Sequence, residues 1–353
     1  MASHTRAILL MNLGSPDSTK VKDVKRYLTE FLMDERVIDS PYWKRTLVVK
    51  GIIVPFRAPK SAEAYRSIWT EQGSPLIVLT KELQRAVQQH FTEPVEINMR
   101  YGNPSTPDVL ERLHRQHPHL EEVILFPLYP HYAMSSYETA VQQVADVHRK
   151  RGYNSTLTVV RPYYNHPMYI NALAESMAPY ISQEFDKILF SYHGVPERHI
   201  LKGDVTGCHC LKVNDCCHVA SPAHEYCYRH QCFVTTEMVL KQLSIPPAKS
   251  ELSFQSRLGR DPWLKPYTAE RLASLPGEGV KKLLVVCPAF VSDCLETLEE
   301  IAEEGKHLFM KAGGESFTMI PCLNVQPAWV ATITRWLRDY MNGDTSMVLQ
   351  KKI

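Results

Sequence analysis

Two sets of residues in this chain have the types and spacing to do chemistry. The first is a single imidazole facing a line of acids. His193 lies in Ser191-Tyr192-His193-Gly194-Val195-Pro196, directly after the apolar run Lys187 to Phe190. That run reads as a buried strand delivering the histidine to its carboxyl end, where open α/β sheets bind ligands. Later, the apolar run Leu283 to Cys287 breaks at Pro288 and opens a helix carrying Asp293, Glu296, Glu300 and Glu303. Spacings of three, four and three place these acids on one helical stripe, with Leu295, Leu298 and Ile301 on another face. At about 1.5 Å per residue the stripe spans roughly 15 Å. Such a line of oxygens can hand along a divalent ion or carry protons away from a reacting centre. The ordinary alternative is a solvated helix face complementing the amino-terminal dipole. Matching sheet positions set His193 across a cleft from Glu296, which favours the chemical reading.

The second set is thiol-rich. Five of the nine cysteines, Cys208, Cys210, Cys216, Cys217 and Cys227, crowd into one segment. An odd total in a chain of intracellular character makes disulfides a poor explanation and metal or cluster ligation a better one. Cys287, Cys294 and Cys322 lie in or beside expected strands and helix starts, where a buried thiol is the ordinary reading.

Composition limits what these sets can mean. The chain has 353 residues, enough for two domains with cores of their own. A net charge of +2, from 40 basic and 38 acidic residues mixed throughout, gives no field to hold a polyanion, so nucleic acid is excluded as a partner. The apolar run after Arg6 ends at Asn12 and Gly14-Ser15-Pro16, too short for a signal peptide or membrane span, which leads to an expectation of a cytoplasmic protein.

The elements that must position these residues occur twice. Ile8 to Pro16 matches Ile188 to Pro196, both ending in x-Gly-x-Pro. Arg100-Tyr101-Gly102, reached from the alternating strand Val95 to Met99, matches Arg257-Leu258-Gly259, reached from Leu252 to Ser256. Ile124-Leu125-Phe126-Pro127, followed by a helical stretch from Ser136 to Arg149, matches Val285-Val286-Cys287-Pro288 and the acidic helix. The offsets of 180, 157 and 161 residues suit a duplicated domain with one insertion. Strands alternating with helical patterns predict an α/β fold of two similar halves, each a parallel sheet covered by helices, with the active-site cleft between them. The expected divisions are 1–165, 166–325 with an insertion at about 205–227, and a carboxyl-terminal helix and tail at 326–353. Within the first half, residues 41–60 combine Leu47-Val48-Val49 and Gly51 to Phe56 with Lys50 and Pro55. They read either as a mobile hydrophobic lip or as a buried helix end. Arg57, Lys60, Tyr65, Arg66 and Trp69, on a helix expected from about Lys60, suit a flat anionic ligand or an ordinary covered surface.

The chain resembles the ferrochelatase family over nearly its whole length. The resemblance is carried by Leu10 to Pro16, Tyr65 to Trp69 followed by Gly73-Ser74-Pro75-Leu76, Met99 to Gly102, Tyr129-Pro130-His131-Tyr132, the histidine motif at 191–196, and Phe290 to Glu300. It implies two Rossmann-like, chelatase-type halves and insertion of ferrous iron, as substrate, into protoporphyrin IX to make protohaem. Two pyrrole protons must leave as the metal enters, and His193 is the base suited to neutral pH. Glu296 is the second member, as metal ligand or proton acceptor, with Asp293 and Glu300 continuing the carboxylate line. An N/O donor set holds ferrous iron without the grip of thiolates, which allows release. By resemblance, Leu13, Tyr65, Tyr129, Phe254 and Phe290 pack on the ring, and Arg57, Ser74 and Arg100 meet the propionates or brace the cleft.

The segment from Gly207 to Cys232 departs from the family pattern, in which the histidine motif runs directly into the equivalent of Tyr228 to Cys232. Some ferrochelatases hold a 2Fe-2S cluster, often through cysteines in a carboxyl-terminal extension, and this chain has none there. The expectation is a cluster on four of Cys208, Cys210, Cys216, Cys217 and Cys227, with Cys232 the weakest candidate. Structural zinc is the rival, with His209, His218 or His230 completing a tetrahedral site. A coproporphyrin- or cobalt-specific chelatase is the alternative activity. A Cys/His redox sensor or zinc-dependent interaction protein on a degenerate scaffold is the third reading, and retention of both His193 and Glu296 speaks against it. The lip permits peripheral membrane contact without demanding it, and both a monomer and a homodimer fit the sequence.

Overall fold

The computed structural model describes residues 4–259 and 261–349; the ends of the expected 1–165 and 326–353 segments, residues 1–3 and 350–353, lie outside the described residues. Eight strands form two four-stranded parallel sheets of the same design. In the first, β1 (Arg6–Ser15), β2 (Val95–Gly102), β3 (Glu122–Pro127) and β4 (Thr156–Val159) lie in the order β2-β1-β3-β4. In the second, β5 (Lys187–His193), β6 (Ser250–Gln255), β7 (Lys282–Val286) and β8 (Ser316–Met319) lie in the order β6-β5-β7-β8. The duplication read from the sequence is thus a duplication of topology. Each sheet is centred on an apolar strand buried on both faces, as parallel sheets require: Ala7 to Met11 in one and Ile188 to Phe190 in the other are all fully buried.

Register sets the two central-strand motifs at equivalent sites but corrects the matching on the neighbouring strand, where Arg100 corresponds to Gln255 and not to Arg257. β1 pairs Gly14 with Tyr101 of β2, and β5 pairs His193 with Gln255 of β6. The glycine after each central strand is there because its neighbour comes close. A Cβ on Gly14, whose φ is +109°, would lie 1.8 Å from the Tyr101 carbonyl oxygen, and one on Gly194 would lie 2.8 Å from that of Gln255.

By contact, the chain divides into two units. One holds residues up to Tyr129, Met134–Arg161 and those from Ile333 onward; the other holds Pro130–Ala133 and Pro162–Thr332. The core of the second unit includes Leu189, Leu283, Val285, Cys287, Ile301, Phe309 and Phe317, so the segment after β7 is anchored through Ile301 and Phe309.

Three local expectations are corrected. The helix expected from about Lys60 begins at Val54, and with Tyr42–Val48 and a π-helical turn at Val49–Ile53 it makes an almost unbroken helical segment to Ile68. Pro55 does not end the segment; it sits directly after the π-helical turn, at the start of the α-helix that continues to Ile68. Along the segment Tyr42, Trp43, Leu47, Ile52 and Phe56 are exposed, Phe56 to 81%, so most of its large apolar residues face outward rather than into a core. The stretch expected as helix from Ser136 starts with a π turn at Met134–Glu138 and continues as α-helix over Thr139–Arg151. The acidic helix is also not a uniform α-helix. It runs as Leu295–Leu298, a π-helical stretch at Glu300–Gly305, and Lys306–Lys311. The Glu304 N–H donates to the Glu299 carbonyl at 2.9 Å, five residues back, so the three-four-three spacing does not produce one continuous stripe. Among the described residues no helix is long and apolar enough to cross a membrane.

Candidate active site

His193 is the last residue of β5 and half-buried. Its Nδ1 lies 2.6 Å from the Gly194 carbonyl oxygen. A carbonyl can only accept, so Nδ1 is the donor of this bond, and in the neutral imidazole that tautomer leaves the Nε2 lone pair open. The ring of Phe290 stands 6.2 Å away at 60°.

The residue that ties this imidazole to the acids is Gln255, its register partner at the end of β6, which the sequence reading passed over. The side chain is buried and both ends are used. Oε1 accepts from Ser191 Oγ at 2.6 Å, and Nε2 donates to the Glu296 carbonyl at 2.7 Å. Ser191 and Ser253 share Thr268 at 2.9 and 2.8 Å, which roots the network in the following helix. No periodicity signals such a residue, since a glutamine at a strand end is commonly a surface side chain.

The acids divide into roles. Asp293 is buried and committed to the backbone fold: it accepts from Asn324 Nδ2 at 2.7 Å, Thr297 Oγ1 at 2.9 Å and the Cys322 N–H at 3.3 Å. Glu300 accepts from the Ser256 N–H at 2.7 Å and Ser256 Oγ at 2.5 Å. Ser256 adopts a left-handed φ of 65°, unusual outside glycine, which turns its N–H toward this carboxylate. Burial pushes the Glu300 carboxyl above the usual range, although bonds from Ser256 and the nearby His193 oppose the shift. Glu296 is half-buried between them, and Glu303 is exposed. Burial and the surrounding carboxylates of Glu304, Glu300, Glu303 and Glu296 push Glu299 up to about 7. The sequence sets His193 and Glu296 across a cleft from one another, both within 166–325. Both belong to the second unit, on β5 and on the segment after β7 of a single sheet.

The expected ring-packing and propionate residues fall in both units. In the second, Phe254 is buried beside Tyr192 at 6.5 Å, and Phe290 is half-buried. In the first, Leu13 is half-buried at the end of β1, Arg57 is exposed, and Ser74 is buried at the start of the helix Pro75–Gln88. Tyr65 is buried, edge-on to Tyr27 at 6.3 Å and to Trp69 at 6.2 Å. The Tyr129 hydroxyl is buried with no hydrogen-bond partner among the described residues, and burial raises its phenol. Arg100 forms an ion pair with Asp34 and donates from Nε to Thr139 at 2.8 Å. Asp34 also accepts from Tyr101 Oη at 2.8 Å and the Arg36 N–H at 2.8 Å. Burial alone would raise this carboxyl; the bonds from Thr139 and Tyr101, the Arg36 N–H and the Arg100 charge outweigh it and hold it low.

The cysteine segment folds around Asp204. Its carboxylate accepts from the Thr206 N–H at 2.9 Å, the Thr206 hydroxyl at 2.6 Å, the His209 N–H at 2.8 Å and the Cys210 N–H at 2.9 Å. Cys210, Cys216, Cys217 and Cys227 are buried, and Cys208 is exposed. The four buried thiols converge. Cys227 is the residue before the helix Tyr228–Gln242, and the Cys217 thiol, the His230 N–H and the Cys210 thiol pull its own thiol down to about 6. Cys216 Sγ accepts the Leu211 N–H at 3.4 Å. The histidines of the segment point elsewhere. His209 Nε2 and His224 Nε2 bond the Cys216 carbonyl at 2.7 and 2.8 Å, and His230 Nδ1 bonds the Cys217 carbonyl at 2.6 Å. His218 is bracketed by Asp215 at 2.5 Å and Glu237 at 2.7 Å. No group of three or more His, Cys, Asp and Glu side chains among the described residues has the geometry to hold a metal ion as it stands.

Two copies of a four-stranded parallel α/β layer are also the design of the chelatase fold. SirB from Bacillus subtilis with Fe3+ superposes with a TM-score of 0.53 at 13% identity, over 98% of this chain and 99% of that one. The sirohydrochlorin chelatase SirB from Bacillus subtilis subspecies spizizenii in complex with cobalt gives the same TM-score at 11% identity and the same coverage. Sequence carries the assignment further. The family model described as Ferrochelatase matches residues 5–341. The ferrochelatase of Opitutus terrae is 49% identical over 341 residues, 96% of this chain and 98% of the relative, and that of Ectopseudomonas mendocina is 50% identical over 329 residues, 93% and 96% of the two chains. The chain belongs to the ferrochelatase family, a family of lyases.

Proposed function

We propose that the chain inserts ferrous iron into protoporphyrin IX to give protohaem, with His193 as the base and Glu296 as its partner. The observation that carries this reading is the Nδ1–H bond from His193 to the Gly194 carbonyl, which leaves Nε2 as a fixed acceptor beside a carboxylate line. A pyrrole proton passes to Nε2. Glu296 takes the second proton or ligates the incoming metal, and Glu300, its carboxyl raised by burial, holds a proton near neutrality more readily than an exposed acid. Asp293, with its oxygens already bonded, positions the segment. Iron enters as substrate on nitrogen and oxygen donors, which exchange it more readily than thiolates. Leu13, Tyr65, Tyr129, Phe254 and Phe290 remain the proposed ring contacts, and Arg57, Ser74 and Arg100 the proposed propionate or bracing residues.

Anaerobic insertion assays with ferrous, cobaltous and zinc ions and with protoporphyrin or coproporphyrin, read from the porphyrin spectrum, test the assignment. Fastest turnover with ferrous iron and protoporphyrin is expected. Preference for coproporphyrin or cobalt selects the alternative chelatase, and no insertion at all removes the enzyme. His193→Ala, with an unchanged circular dichroism spectrum, should lose insertion by about 100-fold or more, the range for a general base. A near-normal rate refutes the role of His193.

The cysteine segment fits a 2Fe-2S cluster held by Cys210, Cys216, Cys217 and Cys227. Four buried thiols converge, one of them already depressed, with N–H donors aimed at sulfur, while His209, His224 and His230 are occupied by carbonyls. When bound, such a group would store one electron. A coloured protein with cluster absorbance is expected; a colourless one with stoichiometric zinc supports the zinc site instead. The exposed apolar helical segment between Asp39 and Glu63, which carries Lys44, Lys50, Arg57 and Lys60 and no acid, supports peripheral contact with an anionic membrane surface.

A further inference from the structure

We infer that the open edge of the first sheet is a docking site for a short, extended, acidic segment of a partner protein, paired through the backbone of Ile97. β2 is the edge strand of the order β2-β1-β3-β4. Its even-numbered residues turn their N–H and C=O groups toward β1: the Ile8 N–H donates to the Pro94 carbonyl, and the register carries that alternation along the strand. Val95, Ile97 and Met99 therefore face outward. Two of the three are closed. The Val95 N–H donates to Gln88 Oε1 at 2.8 Å, and its carbonyl accepts from Gln84 Nε2 at 2.7 Å. The Met99 N–H donates to the Pro104 carbonyl at 2.9 Å. Ile97, buried between them, has no hydrogen-bond partner on that side among the described residues for either its N–H or its carbonyl. Buried backbone groups left so are rare.

Ile97 lines a cavity of about 620 Å³, within the range of ligand sites. Ser15, exposed to only 2% and with its hydroxyl unbonded among the described residues, lines it too. The charges on its walls do not cancel. Its two acids are engaged, Glu96 by Arg112 at 2.8 Å and Asp17 by Arg26. Lys81 and Arg85, one turn apart on the helix Pro75–Gln88 and both exposed, pair with no acid among the described residues. Of the proposed porphyrin contacts only Ser74 borders the cavity, and Lys81 and Arg85 stand about 10 and 16 Å further along that helix. One residue of an antiparallel strand exchanges both its N–H and its C=O with the residue opposite. Ile97 offers that pair and no more, because Gln84, Gln88 and Pro104 close the edge on either side and block a longer added strand. Asn12, the register partner of Met99, bonds Thr80 of the Lys81 helix at 3.0 Å, so Met99 and Ile97, two residues apart, face that helix. A guest side chain opposite Ile97 points the same way, and an aspartate or glutamate there meets two uncommitted cations.

The test uses the full-length protein and a fluorescein-labelled, acetylated pentapeptide amide, Thr-Val-Glu-Val-Thr, with binding read by fluorescence anisotropy at low salt. Saturable binding is expected. It should weaken about tenfold or more in the double variant Lys81→Ala with Arg85→Ala, which removes two exposed charges and leaves the fold intact. The same peptide methylated on the glutamate nitrogen cannot donate to the Ile97 carbonyl and should also bind about tenfold more weakly or worse. Iron insertion by the double variant should equal that of the unsubstituted protein. No saturable binding of the glutamate peptide overturns the inference. So does equal binding of the methylated peptide, which removes the edge pairing, or equal binding by the double variant, which removes the charge recognition. Displacement of the labelled peptide by inorganic phosphate or glutarate as readily as by unlabelled peptide reduces the cavity to a plain anion pocket and overturns the docking site. Loss of insertion in the double variant assigns the two cations to the porphyrin instead and overturns it as well.

Discussion

Gln255 is the side chain on which the spacing between the imidazole and the acids depends, and Gln255→Leu removes it at nearly constant volume. The amide holds two buried partners, Ser191 Oγ at 2.6 Å and the Glu296 carbonyl at 2.7 Å. Ser191 retains Thr268 at 2.9 Å, so the orphan left by the substitution is the Glu296 carbonyl. One or two lost bonds at about 1 kcal/mol each, and a carbonyl left unpaired at about 1–3 kcal/mol, put the loss of stability at about 2–4 kcal/mol. Against a total of about 5–15 kcal/mol the protein stays folded. Activity should suffer more than stability, because a shift of about 1 Å in a reacting group can cost about 100-fold. Gln255→Glu sharpens the comparison. It keeps an acceptor for Ser191 but sets a carboxylate against the Glu296 carbonyl and the Glu300 carboxyl, so it should slow insertion at least as much. Urea unfolding gives the stability, and anaerobic insertion kinetics under saturating metal and porphyrin give the rate. If Gln255→Leu inserts iron within about twofold of the unsubstituted protein, the amide does not position Glu296 and the reasoning fails.

Three further outcomes can be checked. Asp34→Asn should lose about 2–4 kcal/mol at pH 7, the loss expected when one partner of a largely buried pair is removed. Because the Asp34 carboxyl is held below its unfolded value of about 3.9, its contribution is present above that pH and disappears as the pH falls through the lower folded value; urea midpoints of the two proteins that stay equally far apart into strong acid refute this. Cys227→Ser should abolish the cluster absorbance while Cys208→Ser leaves it intact, and the reverse pattern in iron content would reassign the ligands. Trp43→Ser with Phe56→Ser should weaken co-sedimentation with anionic vesicles about tenfold or more, since burying each ring is worth about 1.5–3 kcal/mol; unchanged binding removes the lip from the interface.

Much of the scaffold was legible because duplication doubles the signal. Ile8 to Met11 and Ile188 to Phe190 are apolar enough to demand cover on both faces, and both end at a glycine before a proline. Thr156–Val159 and Ser316–Met319 escaped notice, since four residues of mixed threonine, serine and apolar type at a sheet edge carry no periodicity worth the name. The π-helical turns at Val49–Ile53 and Glu300–Gly305 were also invisible, because an extra residue in a turn leaves composition unchanged while moving every side chain after it. At the site, His193 and Glu296 announce themselves by type and motif. Gln255 and Asp204 do not, because each matters through a bond to a particular backbone group that only tertiary contact supplies. The adjacency of β5 and β7, which brings the segments of His193 and Glu296 to one sheet, is likewise a fact of strand order and not of sequence distance.

The paired motifs have consequences for how the two copies diverged. Leu13 stands in β1 where His193 stands in β5, and Arg100, between Met99 and Tyr101 on the neighbouring strand, stands where Gln255 does. One copy carries an imidazole beside a neutral amide; the other carries an aliphatic group beside a guanidinium paired with Asp34. A histidine grafted at position 13 would therefore meet a cation instead of an amide and would be disfavoured in its charged form. The symmetry of the two copies survives in strand order and register, and it is broken at these two side-chain positions.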